Sequence, residues 1–583
     1  MATSVAEQLV EDLRDSGVQR IYGLVGDSLN PIVDAVRRTE GIEWVHVHNE
    51  EAGAFAAATE ARLTGRLAVC AGSCGPGSIH LIQGLYDAHR DGAPVLALAT
   101  HIPSRQIGTG FFQETHPERL FTECSHYCEM ISTPRQMPRL LRIAMQCAVG
   151  KSGVSVLVIP GDISNERVHA PAAQRSPHSG VLSDPPPTMV PPGKQVEDLA
   201  DALNSAEKVC LFVGAGVRGA HNEVMRLAKT LKAPIGHALG GKEWIQYDNP
   251  YDVGMSGLLG YGACYEAMKE ADLLVLLGTD FSYDDFLPHK HTAQVDHDLS
   301  RIGRRTPVDV AVQGDVRETI NALVPRLTEK EDRHFLDRML HRHASALEHV
   351  VKAYTHNIES HLPIHPEYAA SILDELADDD AVFTVDTGMC NVWAARYITP
   401  NGRRRVIGSW HHGTMANALP HSIGAQFAFP ERQVISMSGD GGLAMLMGEL
   451  LSVRLHDLPV KIVLFNNSSL GMVKLEMLVD GFPDYETDHR PVDFSAIARG
   501  AGLSARRVTE PGDVREALEE ALSSPEPELV ELVTDPNALS IPPRITAEQV
   551  GSFALAGGKV ILNGGVGRMI EMARTNLRNI PRP

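Results

Sequence analysis

Two polar clusters, each closing an apolar run, constrain this chain more than any other feature. Val434–Met437 leads into Gly439-Asp440-Gly441, and Val460–Phe465 leads into Asn466-Asn467. The clusters lie 24 residues apart, room for a helix between two strands. Such a βαβ unit places both strand ends on one edge of a parallel sheet. A carboxylate, a carboxamide and glycines then meet where α/β sheets bind phosphates. Magnesium takes hard oxygens in an octahedron and seldom draws all of them from protein. Asp440 and Asn467 offer one side-chain oxygen each and the Ser469 carbonyl a third, which leaves the rest to a diphosphate. Gly441 and Gly442 let the backbone approach the phosphates closely. Standing alone, Gly-Asp-Gly is also an ordinary turn sequence.

At 583 residues the chain is too long for one core, and about three or four domains are expected. A formal net charge of −20 argues against a nucleic-acid surface. No apolar run nears the roughly 20 residues that span a bilayer, and the N-terminus lacks a signal-peptide layout. The cytosol is therefore the expected compartment. Residues 1–170 alternate helix-like segments (Val5–Leu13, Asn49–Thr64) with strand-like ones (Ile21–Gly26, Leu67–Ala71, Val95–Ala99, Val154–Pro160). Pro-rich residues 171–192 read as a linker. The alternation resumes over 193–340, around Val209–Gly216 and Leu273–Gly278. A helical linker over 341–361 leads into a third block, 362–536, and a tail over 537–583. The expected fold is α/β, with three doubly wound parallel-sheet domains. Cys70, Cys74, Cys124 and Cys128 read as buried or bystander thiols rather than a zinc site.

These segments together resemble the thiamine diphosphate (ThDP)-dependent decarboxylases and oxidases, most closely the pyruvate oxidase and pyruvate:quinone oxidoreductase branch. The likeness is carried in order by Glu50–Ala57, Cys70–Gly77, His101–Ser104, Phe111–Pro117, Gly254–Leu258, Val392–Tyr397 and Gly413–Pro420. The Gly-Asp-Gly and Asn-Asn pair follows, and then Ser540–Arg544. The resemblance implies ThDP held through Mg2+ by Asp440, Asn467 and the Ser469 carbonyl. Gly441, Gly442, Ser468, Leu470, Gly471, Met472 and Val473 would line the diphosphate. Glu50 becomes the acid that hydrogen-bonds the aminopyrimidine and activates the cofactor. Read without the family, it is the acidic first turn of a helix. Met415 becomes the prop that bends the cofactor, with Gly413 and Thr414 beside the ring; otherwise it is core filler. Phe112, Gln113, Met472, Val473 and Glu476 fall around the reacting centre. The family often has His directly before the activating Glu, whereas this chain has Asn49, with His48 one position earlier.

The same resemblance assigns FAD to the middle domain. Gly214 and Gly216 supply a Gly-x-Gly that Gly219 completes only loosely. Ser256, Gly257, Leu258 and Leu259 follow, then Thr279, Asp280, Phe281, Ser282 and Tyr283. Asp296 stands where a carboxylate would meet a ribose hydroxyl. The implied reaction is oxidative decarboxylation of pyruvate to acetate and CO2, with electrons passing through FAD to a membrane quinone. The rivals are an oxidase that uses oxygen and phosphate, and an acetolactate synthase. Synthases usually carry an Arg-Phe-Asp-Asp-Arg-like stretch where this chain has Asp280–Phe286, and Trp in place of Glu476. In the tail, Val566, Met569, Ile570, Ala573 and Leu577 share a helical face beside Arg568, Arg574 and Arg578. That pattern suggests a peripheral anchor on the inner face of the membrane, or else a helix docked on its own subunit. In relatives the activating Glu comes from the neighbouring subunit, so a homo-oligomer is expected, at least a dimer and as a rule a tetramer.

Overall fold

The computed structural model describes residues 3–168, 188–358, 360–539 and 575–576. Three sheets carry the chain. The first contains β1 (Arg20–Gly23), β2 (Glu43–His46), β3 (Ala68–Gly72), β4 (Val95–His101), β5 (Tyr127–Met130) and β6 (Val154–Pro160), in the order β2-β1-β3-β4-β6-β5. Its central strands β3, β4 and β6 are buried along their whole length and mostly apolar, because both faces are covered. Ala68, Cys70, Val95 and Ala97 enter one core, while Val69, Ala71, Leu96 and Leu98 enter another.

The middle sheet contains β7 (Val209–Val213), β8 (Ile235–His237), β9 (Asp252–Met255), β10 (Tyr261–Gly262), β11 (Leu273–Leu277), β12 (Thr292–Asp296) and β13 (Val310–Gln313). Its order is β10-β9-β8-β7-β11-β12-β13, and the edge strand β10 runs antiparallel to β9. The third contains β14 (Val382–Val385), β15 (Arg405–Gly408), β16 (Val434–Gly439), β17 (Lys461–Asn466), β18 (Ser504–Val508) and β19 (Glu528–Val533), in the order β15-β14-β16-β17-β19-β18. Each sheet has a central reversal of strand order, between β1 and β3, between β7 and β11, and between β14 and β16. The first and third reverse again at one edge, where β6 lies inside β5 and β19 inside β18. Loops leaving the strands on either side of a reversal diverge, which opens a crevice at the carboxyl ends.

The βαβ unit read from the sequence is present, with one difference. Its connection is two short helices, Asp440–Leu446 and Leu450–Leu455, separated by a 3-10 turn at Met447–Glu449. Three glycines (441, 442 and 448) in this stretch are poor helix formers and weaken a single longer helix.

The first and third domains share one core. The Glu50–Thr64 helix lies so close against the Ala418–Ala428 helix that a Cβ on Gly424 would fall 2.1 Å from the Ala56 carbonyl oxygen. Tyr22 and Ala54 belong to the same buried cluster as Leu419, Ile423 and Val434. The middle domain has cores of its own and meets the third through Met255 and Tyr261, buried in the cluster of Phe383 and Trp393. It also meets it through an Arg405–Glu243 ion pair at 2.9 Å, with Arg405 over the Trp244 ring. Leu539 is buried against Leu475 and Leu478. Of the tail, Thr575 donates to Asp535 Oδ2 at 2.9 Å and Asn576 Nδ2 to the Asn537 carbonyl at 2.7 Å. Val566, Met569, Ile570, Ala573 and Leu577, the expected anchor face, lie outside the described residues. Among the described residues no helix is long and apolar enough to cross a membrane.

Candidate active site

At the reversal of the third sheet, β14 and β16 end side by side. Each runs straight into an acid among glycines: Asp386-Thr387-Gly388 after β14, and Gly439-Asp440-Gly441-Gly442 at the end of β16. Asp440 is the first residue of its helix, and Gly441 N donates to its Oδ1 at 3.0 Å. It is 6% exposed, and no lysine or arginine pairs with it among the described residues. Burial pushes its carboxyl up to about 6. A desolvated carboxylate with no lysine or arginine against it suits a metal ion.

The two asparagines divide their work. Asn466 turns away from the cavity, and its Nδ2 donates to Glu531 Oε1 at 2.7 Å, fastening β17 to β19. Asn467 faces the cavity; its Oδ1 accepts Ser469 N at 3.0 Å and keeps a second lone pair. Asp440, Gly441, Gly442, Asn467, Ser469, Leu470, Gly471, Met472, Val473 and Met415 line a single cavity of about 70 Å3. Ser468, at φ 52°, makes the turn between them without lining it. Gly413 lines the neighbouring groove instead, and Thr414 holds the loop by accepting Gln83 Nε2 at 2.7 Å.

Asp386 was missed from the sequence. A Cβ on Gly442 would fall 1.7 Å from its Oδ2, so the glycine is required for the acid to lie beneath the turn. Burial pushes the Asp386 carboxyl up to about 7, against the backbone donors Thr387, Ala416, Asn417 and Gly439. Its signal was available, because Val382–Val385 followed by Asp-Thr-Gly repeats the pattern of β16.

Glu50, Phe112 and Gln113 gather elsewhere, near the reversal of the first sheet. Glu50 opens its helix behind Asn49, whose side chain accepts Glu51 N at 2.9 Å. Its carboxylate lies over Gly77 and within 2.9 Å of His80 Nδ1. Gln113, at φ 62°, presents Oε1 3.3 Å from Cys74 Sγ, and Phe112 is 79% exposed. None of the three lines the Asp440 cavity, so within one chain the expected catalytic set is split. Glu476 lies on the Gly471–Val479 helix, one turn beyond Met472 and Val473; burial raises its carboxyl, and Asp480 adds to this.

The residues expected to hold flavin do come together. Gly214, Gly216, Ser256–Leu259, Thr279–Tyr283 and Asp296 all line one groove of about 1480 Å3 at the β7/β11 reversal. That exceeds the roughly 300–1,000 Å3 of a drug-sized site and suits a dinucleotide. The glycines serve a purpose the motif does not reveal: a Cβ on Gly214 or Gly216 would come within 2.6 Å of Gly278 backbone, so the two turns pack directly on each other. Asp280 is held by Arg304 at 2.7 Å and Arg305 at 3.0 Å, and Asp296 Oδ1 accepts Asp298 N at 2.9 Å. A second residue missed from the sequence is Arg218. It lines the groove, stacks over Trp244 and has no carboxylate partner among the described residues. Thr387 lines both the groove and the Asp440 cavity.

Three domain models of thiamine pyrophosphate enzymes match the chain in order. The N-terminal TPP binding domain covers residues 3–120, the central domain 196–323 and the C-terminal TPP binding domain 386–532. The protein belongs to the family of thiamine pyrophosphate enzymes. Over 559 residues it is 35% identical to YdaP of Bacillus subtilis (strain 168), a protein provisionally named as thiamine pyrophosphate-containing; the match covers 95% of this chain and 96% of that one. It is 30% identical over 538 residues to the pyruvate oxidase of Lactiplantibacillus plantarum, covering 90% and 87%. It is 31% identical over 546 residues to the acetolactate synthase isozyme 2 large subunit of Escherichia coli (strain K12), covering 91% and 95%.

Proposed function

We propose that the protein oxidatively decarboxylates pyruvate to acetate and CO2 and passes two electrons through FAD to a membrane quinone. The observation that carries this reading is the wall at Thr387, which the cavity and the groove have in common. A flavin that turns over must stand beside the centre it oxidises, and this arrangement provides that adjacency. Thiamine diphosphate, when bound, supplies the nucleophilic carbon and the electron sink that a 2-oxo acid needs to lose CO2. Asp440, Asn467 and the Ser469 carbonyl hold Mg2+ and, through it, the diphosphate. Met415 props the ring, and Glu50 holds a proton at the aminopyrimidine. Met472 and Val473 give the substrate end a narrow apolar wall that suits a methyl group. Glu476, raised by burial, keeps a proton near that end at a higher pH than an exposed glutamate would.

A cavity of about 70 Å3, lined only from Pro366 onward, cradles part of such a cofactor. In this reading Glu50, Phe112 and Gln113 complete the site of a second copy, which makes a dimer the smallest active unit and a tetramer the expected one. The tail belongs to the same proposal as the element that meets the lipid surface carrying the quinone.

Identity does not separate oxidase from acetolactate synthase, since the two relatives stand at 30% and 31%. Product analysis does. Purified protein with ThDP, Mg2+, FAD and pyruvate is offered a soluble quinone analogue or oxygen with phosphate. Acetate formed in step with quinone reduction is the expected result. Acetyl phosphate and peroxide would shift the acceptor to oxygen, and acetolactate as the main product would overturn the reading.

A further inference from the structure

The Glu50 carboxylate is fixed by its surroundings more tightly than a first-turn acid normally is. It is 4% exposed, and two features of the Pro76–Arg90 helix confine it. One is Gly77, where a Cβ would fall 2.6 Å from Glu50 Oε1, so that only a glycine leaves room for that oxygen. The other is His80, one turn further along the same face, whose Nδ1 lies 2.9 Å from Oε2. The spacing between the two helices is set independently: a Cβ on Gly84 would fall 2.6 Å from Ala54 Cβ and 2.8 Å from the Glu51 carbonyl oxygen. The helices therefore touch backbone to backbone, which fixes the distance between the backbones of His80 and Glu50. The remainder of the His80 ring is half-exposed and needs no place in the core.

We propose that His80 is a positioning residue for Glu50. Its Nδ1–H occupies Oε2 and leaves Oε1, above Gly77, as the oxygen that meets a ring nitrogen of the bound cofactor. This rests on the reading of Glu50 as the cofactor-activating acid. For Oε2 to accept in this contact, His80 must carry a proton on Nδ1. The ring then acts as a clamp on one oxygen, much as the partner of a metal-bound histidine fixes that ring. Without it the carboxylate rotates about its terminal torsion, which is broad and nearly two-fold, and Oε1 is no longer presented.

The test is a double-mutant cycle read by ThDP affinity in the presence of Mg2+, with quenching of tryptophan fluorescence as the signal. His80→Leu in the natural background should weaken ThDP binding by roughly 10-fold or more, the size of a lost charge-assisted hydrogen bond. In the Glu50→Gln background the same change should alter affinity less than about twofold. His80→Gln, which retains an N–H donor, should recover most of both affinity and the near-ultraviolet circular dichroism of the bound aminopyrimidine. An equal loss in both backgrounds, or no loss in either, overturns the proposal for His80. Full turnover by Glu50→Gln alone would instead overturn the reading of Glu50, so the two failures are told apart.

Discussion

Glu449 shows what an acid does when it is buried where two domains meet. Its Oε2 accepts Ser452 Oγ at 2.6 Å and His48 N at 3.3 Å, and Ser452 Oγ lies 2.7 Å from His48 Nδ1. This small network ties the chain just ahead of Glu50 to the third domain. Burial pushes the Glu449 carboxyl up to about 7 from an ordinary 4.5, against the hydrogen bonds that favour its charged form. The sign follows from linkage. Below pH 4.5 both folded and unfolded chains hold the proton. Between 4.5 and about 7 only the unfolded chain releases it, so stability falls as pH rises, and the loss levels off above 7 at up to about 3 kcal/mol. Glu449→Gln keeps an acceptor oxygen and removes the titration. The variant should unfold at a higher temperature than the natural chain at pH 8 and at nearly the same temperature at pH 4.5. Equal shifts at both pH values would place the effect elsewhere.

Among the elements, those legible in the sequence were the ones buried on both faces. Predominantly apolar runs such as Val95–Ala99, Val154–Pro160 and Val460–Phe465 announce central parallel strands, because both faces are covered. Ser155 and Lys461 are the polar exceptions, and Lys461 Nζ donates to the Ser524 and Glu526 carbonyls. Asp440 and Asn467 were legible for a related reason: a polar residue directly after such a run marks a carboxyl strand end. Asp386 obeys the same rule and was passed over because its strand is short. The pairing of His80 with Glu50 has no local signature, since it depends on two helices meeting at glycines. That Glu50 and Asp440 lie in separate places within one chain was implied by the resemblance to relatives alone; no residue pattern carries it. The helix contact between the first and third domains gives a sharp test. Gly424→Ala drives a Cβ into the Ala56 carbonyl, which neither helix can move aside, and should cost about 3 kcal/mol or more. Gly448→Ala meets nothing within 4 Å and should stay within about 0.5 kcal/mol of the natural protein in the same denaturant titration.

At the scale of the molecule, the proposed function would make two copies the smallest complete unit, because the expected catalytic set is divided within one chain. Met445, Leu451 and Leu455 are exposed on the two short helices after Asp440, and Ile79 and Phe112 are exposed near Glu50. An apolar surface of this kind suits burial by a second copy. Complementation tests the arrangement. Chains carrying Glu50→Gln and chains carrying Asp440→Asn should each be inactive. A purified mixed dimer should regain about half the natural activity, because one of its two sites then has both groups intact. A mixed dimer as inactive as its parents would mean that each chain completes its own site.

The continuous core joining the first and third domains also bears on how such chains diversify. Neither of those two domains can be exchanged alone, because the Gly424 contact and the Leu419–Ile423 side of the shared cluster would have to be matched at once. The middle domain has cores of its own but also buries Met255 and Tyr261 in the cluster of Phe383 and Trp393. Exchanging it would have to match that patch as well as the seam at Arg405, Glu243 and Trp244. Inheritance would therefore preserve the pair around Asp440 and Glu50 as a block and leave the central module free to vary only away from that patch and seam.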